Sequence, residues 1–162
     1  MTNDETPATT PDGRATTPDG PAGDRPAARG PAILLVSPDL FTSSRIAGLA
    51  RGVGGVLTTL RGPGQPSTGG PWDIVLLDLE ALGGDPAAVV SGVRAGPARP
   101  AADGGRPPRI IAFGPHVAKE RLERARAAGA DAAVSRGELL GDFAGVIART
   151  AAAAGAEAAG AE

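Results

Sequence analysis

Polar side chains stand directly behind several short apolar runs, where they could meet at one edge of a sheet. Asp78 ends one such run, and Ser37 and Arg136 each follow another. A carboxylate and a guanidinium in these positions can form an ion pair that holds two loops together. His116, just behind a further run, could act as a general base or phosphate contact, or be a solvated loop residue. Ser37 lacks the sequence context of a nucleophile elbow.

The elements that must position these side chains follow from the apolar pattern. Continuous apolar runs predict strands buried on both faces at Ala32–Val36, Asp73–Asp78 and Arg109–Phe113. Gly55–Leu60 and Asp131–Ser135 are weaker strand candidates. In parallel sheets of this kind, ligands bind and reactions take place at the carboxyl ends of the strands. The polar residues named above are therefore expected to line one crevice.

Helical spacing appears between the strands. We predict helices that begin at Ser43 or Ser44, at Asp85-Pro86, at Ala118 and at Glu138, the last extending to Ala151. The Gly/Pro-rich segment 61–71 has no apolar periodicity, so a loop or a degenerate helix is expected in the place of a second helix. Alternating strands and helices predict a doubly wound α/β domain of the flavodoxin-like type, with five parallel strands.

Composition sets the domain limits. Residues 1–31 contain six prolines and no Ile, Leu, Val or Phe, which predicts a disordered tail. Residues 32–150 form the predicted domain, and the Ala/Gly/Glu-rich residues 151–162 form a C-terminal tail that could prolong a helix for a turn before fraying. Trp72 is the only tryptophan and precedes a predicted strand, where it could anchor the strand or serve as an exposed binding residue.

Charge and residue types exclude several functions. The formal net charge of −2 offers no field for nucleic acid or an anionic membrane. The absence of cysteine excludes disulfides and thiolate metal sites, and a single histidine excludes a histidine-rich one. No apolar run approaches a membrane span. We therefore expect a cytoplasmic protein without nucleic-acid or membrane partners.

Three segments carry a resemblance to a known family. Trp72–Glu80 resembles the third strand of response-regulator receiver domains, which ends in a phosphoryl-accepting aspartate. Arg126–Arg136 looks like the family's fourth helix, its Gly-Ala-Asp turn and the fifth strand, and Ala32–Val36 matches the opening strand. The resemblance covers about residues 32–150 and implies a CheY-like fold. It implies that Asp78 is the candidate phospho-acceptor and that the backbone carbonyl of Glu80 occupies a metal-ligand position.

The sequence departs from the family where receiver chemistry takes place. The family's acidic pair after the first strand is replaced by Ser37 and Pro38, which leaves Asp39 one place late. After the fourth strand, Gly114 stands where receivers carry a Ser or Thr hydroxyl. After the fifth strand, Arg136 stands where receivers carry a lysine. Transfer of a phosphoryl group depends on positioning and charge neutralisation, so these losses predict a degenerate receiver without a metal site.

Three functions follow as hypotheses. The first is a stand-alone pseudo-receiver, not an enzyme, with no catalytic residue or cofactor. It would act through a protein partner, or a second copy of the chain, on the face drawn from residues 119–151. The second is an atypical response regulator phosphorylated on Asp78, the one case that would require Mg²⁺, with Asp39 as a further ligand. The third is a small-molecule binder or enzyme. Its crevice would be lined, besides Asp78, by Ser37, Asp39, Glu80, Gly114, His116 and Arg136.

Overall fold

The computed structural model describes residues 29–65, 71–98 and 106–159, with side chains as far as residue 153. Its strands are β1 (Ala32–Val36), β2 (Val56–Leu60), β3 (Ile74–Asp78), β4 (Arg109–Gly114) and β5 (Ala132–Ser135). They form one parallel sheet in the order β2-β1-β3-β4-β5. The predicted doubly wound, flavodoxin-like fold is therefore confirmed, including its two weaker strands.

Helices cover both faces of this sheet. They are α1 (Leu40–Gly52), α2 (Leu79–Leu82), α3 (Pro86–Ala95), α4 (Lys119–Ala127), α5 (Arg136–Gly141) and α6 (Phe143–Ala159). Alternate side chains along β1 enter opposite apolar layers: Leu34 packs toward α3 and α4, whereas Leu35 packs toward α1, α5 and α6. Burial of β1 and β3 on both faces explains why their sequences are continuous apolar runs.

Helix α1 begins earlier than predicted. It starts at Leu40 and is capped by Asp39, whose carboxylate accepts a hydrogen bond from the Phe41 N–H, so the prediction of Ser43 or Ser44 as the cap is wrong. Ser43 lies inside the helix, where its hydroxyl donates to the Asp39 carbonyl. An aspartate accepts hydrogen bonds from the first free N–H groups of a helix as well as a serine does. The spacing of apolar residues therefore could not show which of these residues is the cap.

The helix predicted from Glu138 is interrupted. Asp142 leaves the helical region with φ −136° and ψ 50°, which separates α5 from α6. Its carboxylate accepts from the Gly145 N–H at 3.2 Å, so the break is also the start of α6, which runs to Ala159. The start of α3 agrees with the prediction, because Asp85 caps it and Pro86 is its first residue.

The segments expected to be irregular are described only in part. Residues 61–65, between β2 and β3, form turns rather than a helix. The predicted disordered tail lies outside the described residues except for its last three. The connection between α3 and β4, residues 96–108, is described only at its two ends. Across the part of the chain that the structure describes, no helix is long and apolar enough to cross a membrane.

Asp131 ties together three elements at the amino edge of the sheet. Its Oδ1 accepts from Arg109 Nη1 at 2.8 Å, and its Oδ2 accepts from Arg94 Nη2 at 3.0 Å. The same Oδ2 accepts from the Ile110 backbone N–H at 2.7 Å. Since Ile110 is fully buried, no water can replace this acceptor without a rearrangement.

Replacement of Asp131 by alanine is expected to lower the free energy of unfolding by about 1–3 kcal/mol, because it leaves a buried N–H without an acceptor. Urea unfolding followed by circular dichroism measures this change. Glu123→Ala, at an exposed position of α4, is the matched control and should change stability by less than about 0.5 kcal/mol. Equal effects of the two substitutions would contradict this role of Asp131.

Candidate functional site

Asp78 is the last residue of β3, and its side chain is completely buried. Its Oδ2 accepts from Ser37 Oγ at 3.0 Å. Its Oδ1 accepts from Arg136 Nη2 at 3.2 Å and from the Ala81 N–H at 3.2 Å. A buried carboxylate is tolerated only when it is paired and hydrogen-bonded, and here both oxygens have partners.

Arg136 joins the ends of two elements. As the first residue of α5, directly after β5, it reaches past the end of β4 and pairs with Asp78 at the end of β3 and, at 2.9 Å, with Glu80 of α2. The expected ion pair of Asp78 and Arg136 is therefore present, and Glu80 extends it through a side chain rather than a backbone carbonyl. The buried Nε of Arg136 has no hydrogen-bond partner in the described structure.

Ser37 connects this ion pair to α1. It is buried directly after β1, and while its hydroxyl donates to Asp78 it accepts from the Asp39 N–H at 3.1 Å. The carboxylate of Asp39 turns away toward α1, where Phe41 N–H donates at 2.9 Å and Thr42 Oγ1 at 2.6 Å. The residue considered as a second metal ligand is thus a helix cap.

The cap perturbs the titration of Asp39. The hydrogen bond from the Thr42 hydroxyl, and then that from the Phe41 N–H, lower the pKa of the Asp39 carboxyl by stabilising its charged form. The positive charge of Arg136 lowers this pKa further, as a smaller contribution.

Gly114 lies at the carboxyl end of β4 beside a small cavity. The cavity has a volume of about 210 Å³ and is lined chiefly by apolar side chains, among them Leu79, Pro115 and Leu122. A Cβ added to Gly114 would lie 4.0 Å from Leu122 Cδ2 and from Leu79 Cβ, so a side chain could be accommodated there. Of the residues predicted to line a ligand crevice, this cavity includes only Glu80 and Gly114. His116 is exposed and is not among the lining residues.

Two contributions to the site could not be predicted from the sequence. Asp78 caps the unpredicted helix α2, whose first turn is held by this carboxylate. Arg121, interpreted from the sequence as part of a solvated helix face, donates from Nη2 to the Leu79 carbonyl at 2.9 Å. This contact depends on the position of α4 beside the start of α2, and no sequence motif indicates it.

The residues at this edge do not fit a magnesium ion. Mg²⁺ requires several oxygen ligands in octahedral geometry. In the described part of the chain no three His, Asp or Glu side chains are grouped to hold a metal ion. The carboxylates of Asp78 and Glu80 are bridged instead by the cation of Arg136.

Comparison with known proteins gives a consistent structural class. No protein-family model and no curated protein matches this chain. The receiver domain of a Pseudomonas aeruginosa sensor histidine kinase, solved with magnesium in its active site cleft, superposes with a TM-score of 0.56 at 19% identity, covering 76% of this chain and 98% of that one. A response regulator receiver protein from Burkholderia phymatum superposes with a TM-score of 0.56 at 22% identity, covering 75% of this chain and 95% of that one.

A third solved structure agrees with these two. The N-terminal domain of a three-domain response regulator/sensory box/GGDEF protein from Carboxydothermus hydrogenoformans gives a TM-score of 0.58 at 15% identity, covering 78% of this chain and 98% of that one. The chain therefore has the CheY-like receiver fold, as the resemblance predicted.

Capping of α1 by Asp39 should make the stability of the fold depend on pH. Because the pKa of Asp39 is lowered on folding, its charge stabilises the fold above the unfolded-state pKa of about 4, and this contribution is lost as the pH falls through the lowered value. Asp39→Asn keeps a cap but cannot titrate. We expect its unfolding free energy to fall less than that of the wild type between pH 7 and pH 3.

Urea unfolding at the two pH values provides the measurement. Ser135→Ala, which removes the side-chain cap of α5 without removing a titratable group, serves as the control and should retain the wild-type pH dependence more closely. An unchanged loss of stability at low pH in Asp39→Asn would show that the cap does not carry the predicted charge effect.

Proposed function

We propose that this chain is a pseudo-receiver that acts in signalling by protein contacts, without phosphoryl transfer. The similar structures are receiver domains of a sensor histidine kinase and of response regulators, which supports a place in two-component signalling. The observation that carries the proposal is the occupation of both Asp78 oxygens by Ser37 and Arg136.

Phosphorylation of an aspartate needs a carboxylate oxygen in line with the phosphorus, and cations on the transferred oxygens. The Asp78 side chain is fully buried, so a phosphodonor could reach it only after the loops move. Its charge is balanced by Arg136, which also holds Glu80. Gly114 provides no hydroxyl for the phosphoryl group. These contacts support an inert aspartate and a non-enzymatic role.

The face from 119 to 151 supports a role in protein contact. Strand β5 is the last strand of the sheet and pairs with β4 on one side. A groove of about 310 Å³ beside it is lined by the side chains of Arg126, Glu138 and Arg149 together with small residues of β5. Charges of both signs beside the small side chains of β5 suit a protein surface of complementary charge, including that of a second copy.

Incubation with acetyl phosphate and Mg²⁺ tests the proposal, with intact mass as the readout. We expect neither the wild-type chain nor Asp78→Asn to gain the mass of a phosphoryl group, because both carboxylate oxygens of Asp78 are already engaged. An active receiver domain in a parallel reaction verifies the phosphodonor.

A phosphoryl adduct on the wild type that is missing from Asp78→Asn would overturn the proposal and establish the atypical response regulator instead. Asp73→Asn, at an exposed position before β3, is the matched control for loss of an aspartate. An adduct that persists in Asp78→Asn but disappears in Asp73→Asn would lie on Asp73 and not on Asp78. That result would agree with the prediction that Asp78 is not phosphorylated.

A further inference from the structure

The cavity beside Gly114 is separate from the contacts that hold Asp78. None of the residues that hydrogen-bond to the Asp78 carboxylate in the described structure lines it. Its volume of about 210 Å³ exceeds the roughly 150 Å³ of an apolar protein cavity that binds benzene. Leu79, Pro115 and Leu122 give it apolar walls. A compact ligand with a single ring or a short branched chain therefore fits this space.

The absence of a side chain at Gly114 keeps the cavity open. Gly114 is buried at the end of β4, and a Cβ built on it would lie 4.0 Å from Leu122 Cδ2 and from Leu79 Cβ. Both leucines line the cavity. A large side chain at position 114 would therefore extend between them and occupy the space that is left free.

Arg121 places a positive charge at the wall of the cavity. It is a lining residue, and its Nη2 donates at 2.9 Å to the carbonyl of Leu79, which is another lining residue. Among the described residues this is the one hydrogen bond of the Arg121 side chain, and no carboxylate forms an ion pair with it. A carbonyl carries no formal charge, so the guanidinium keeps free donors and has no counter-ion in that part of the chain.

The acid that lines the cavity is already paired. Glu80 Oε2 lies 2.9 Å from Arg136 Nη2, whereas Arg121 has no such partner among the described residues. The start of α4 adds to the positive charge, because its cap residue Ala118 lines the cavity and offers no side-chain acceptor to the first N–H groups. Arginine binds a carboxylate through two parallel hydrogen bonds, so this charge favours an acidic ligand.

We propose that this cavity binds a small carboxylic acid, with its carboxylate on Arg121 and its apolar body between Leu79 and Leu122. The apolar walls admit the body of the ligand, and the arginine selects its charge. The assignment goes beyond the proposed signalling role and does not depend on it, because it uses neither Asp78 nor the groove beside β5.

Benzoate is the probe for this site, and benzyl alcohol and benzylamine are its neutral and cationic counterparts with the same ring. Each is titrated into the full chain and followed by two-dimensional amide NMR. We expect saturable shifts of the Gly83 and Gly114 signals with benzoate, at a Kd of about 1 mM or below. The alcohol and the amine should bind at least about tenfold more weakly, because neither carries the charge that pairs with Arg121.

Variants of two lining residues locate the ligand. Arg121→Gln should weaken benzoate binding by about tenfold or more, through the loss of a charge-assisted contact. Arg124→Gln, at an exposed position of the same helix, is the control for loss of an arginine and should bind as the wild type does. Gly114→Leu should abolish binding because its side chain fills the cavity, and its amide spectrum shows whether it is folded.

Absence of saturable benzoate binding by the folded wild-type chain would overturn the proposal. Binding of benzyl alcohol or benzylamine as tight as that of benzoate would overturn the assignment of an acid. Equal benzoate affinities of Arg121→Gln and Arg124→Gln, or wild-type affinity in folded Gly114→Leu, would overturn the assignment of the ligand to this cavity.

Discussion

The burial of one carboxylate governs the carboxyl edge of this sheet. Asp78 ends a strand that is covered on both faces, so its charge must be balanced inside the protein. Arg136 supplies the charge, while Ser37 and the N–H of Ala81 supply hydrogen bonds. These partners come from the segments after β1, β3 and β5. The ion pair and these hydrogen bonds together hold the three segments in place.

The same contacts determine which side chains at the carboxyl edge of the sheet are left to bind a cation or a ligand. Arg136 also binds Glu80, so the two carboxylates that could have approached a cation already share one. Asp39, the remaining acid nearby, is used as the cap of α1 through Phe41 and Thr42. Gly114 leaves a small apolar cavity instead of a hydroxyl. A receiver fold is thus combined with a set of side chains arranged for structural support.

Much of this arrangement was predictable from the sequence, because it depends on local patterns. Buried strands such as Ala32–Val36 are continuous apolar runs, and the Asp85-Pro86 pair marks the start of α3. The pairing of Asp78 with Arg136 followed from the position of each residue behind a strand. Parallel strands bring such positions to one edge whatever the intervening sequence contains.

The remaining features depend on contacts between segments distant in the chain. Asp142 interrupts an apolar pattern that continues across the break, so periodicity alone predicted one helix. The hydrogen bond from Arg121 to the Leu79 carbonyl requires α4 to lie beside the start of α2. Asp131 likewise serves α3 and β4 through side chains that have no fixed sequence spacing from it.

A double-mutant cycle on Asp78 and Arg136 tests the central claim most directly. Unfolding free energies of Asp78→Asn, Arg136→Gln and the double variant give the coupling between the two side chains. We expect a coupling of about 1–3 kcal/mol, larger than the about 0–1 kcal/mol expected for the more exposed pair of Glu80 and Arg136 measured in the same way. A coupling near zero for Asp78 and Arg136 would contradict the conclusion that this ion pair holds the carboxyl edge of the sheet.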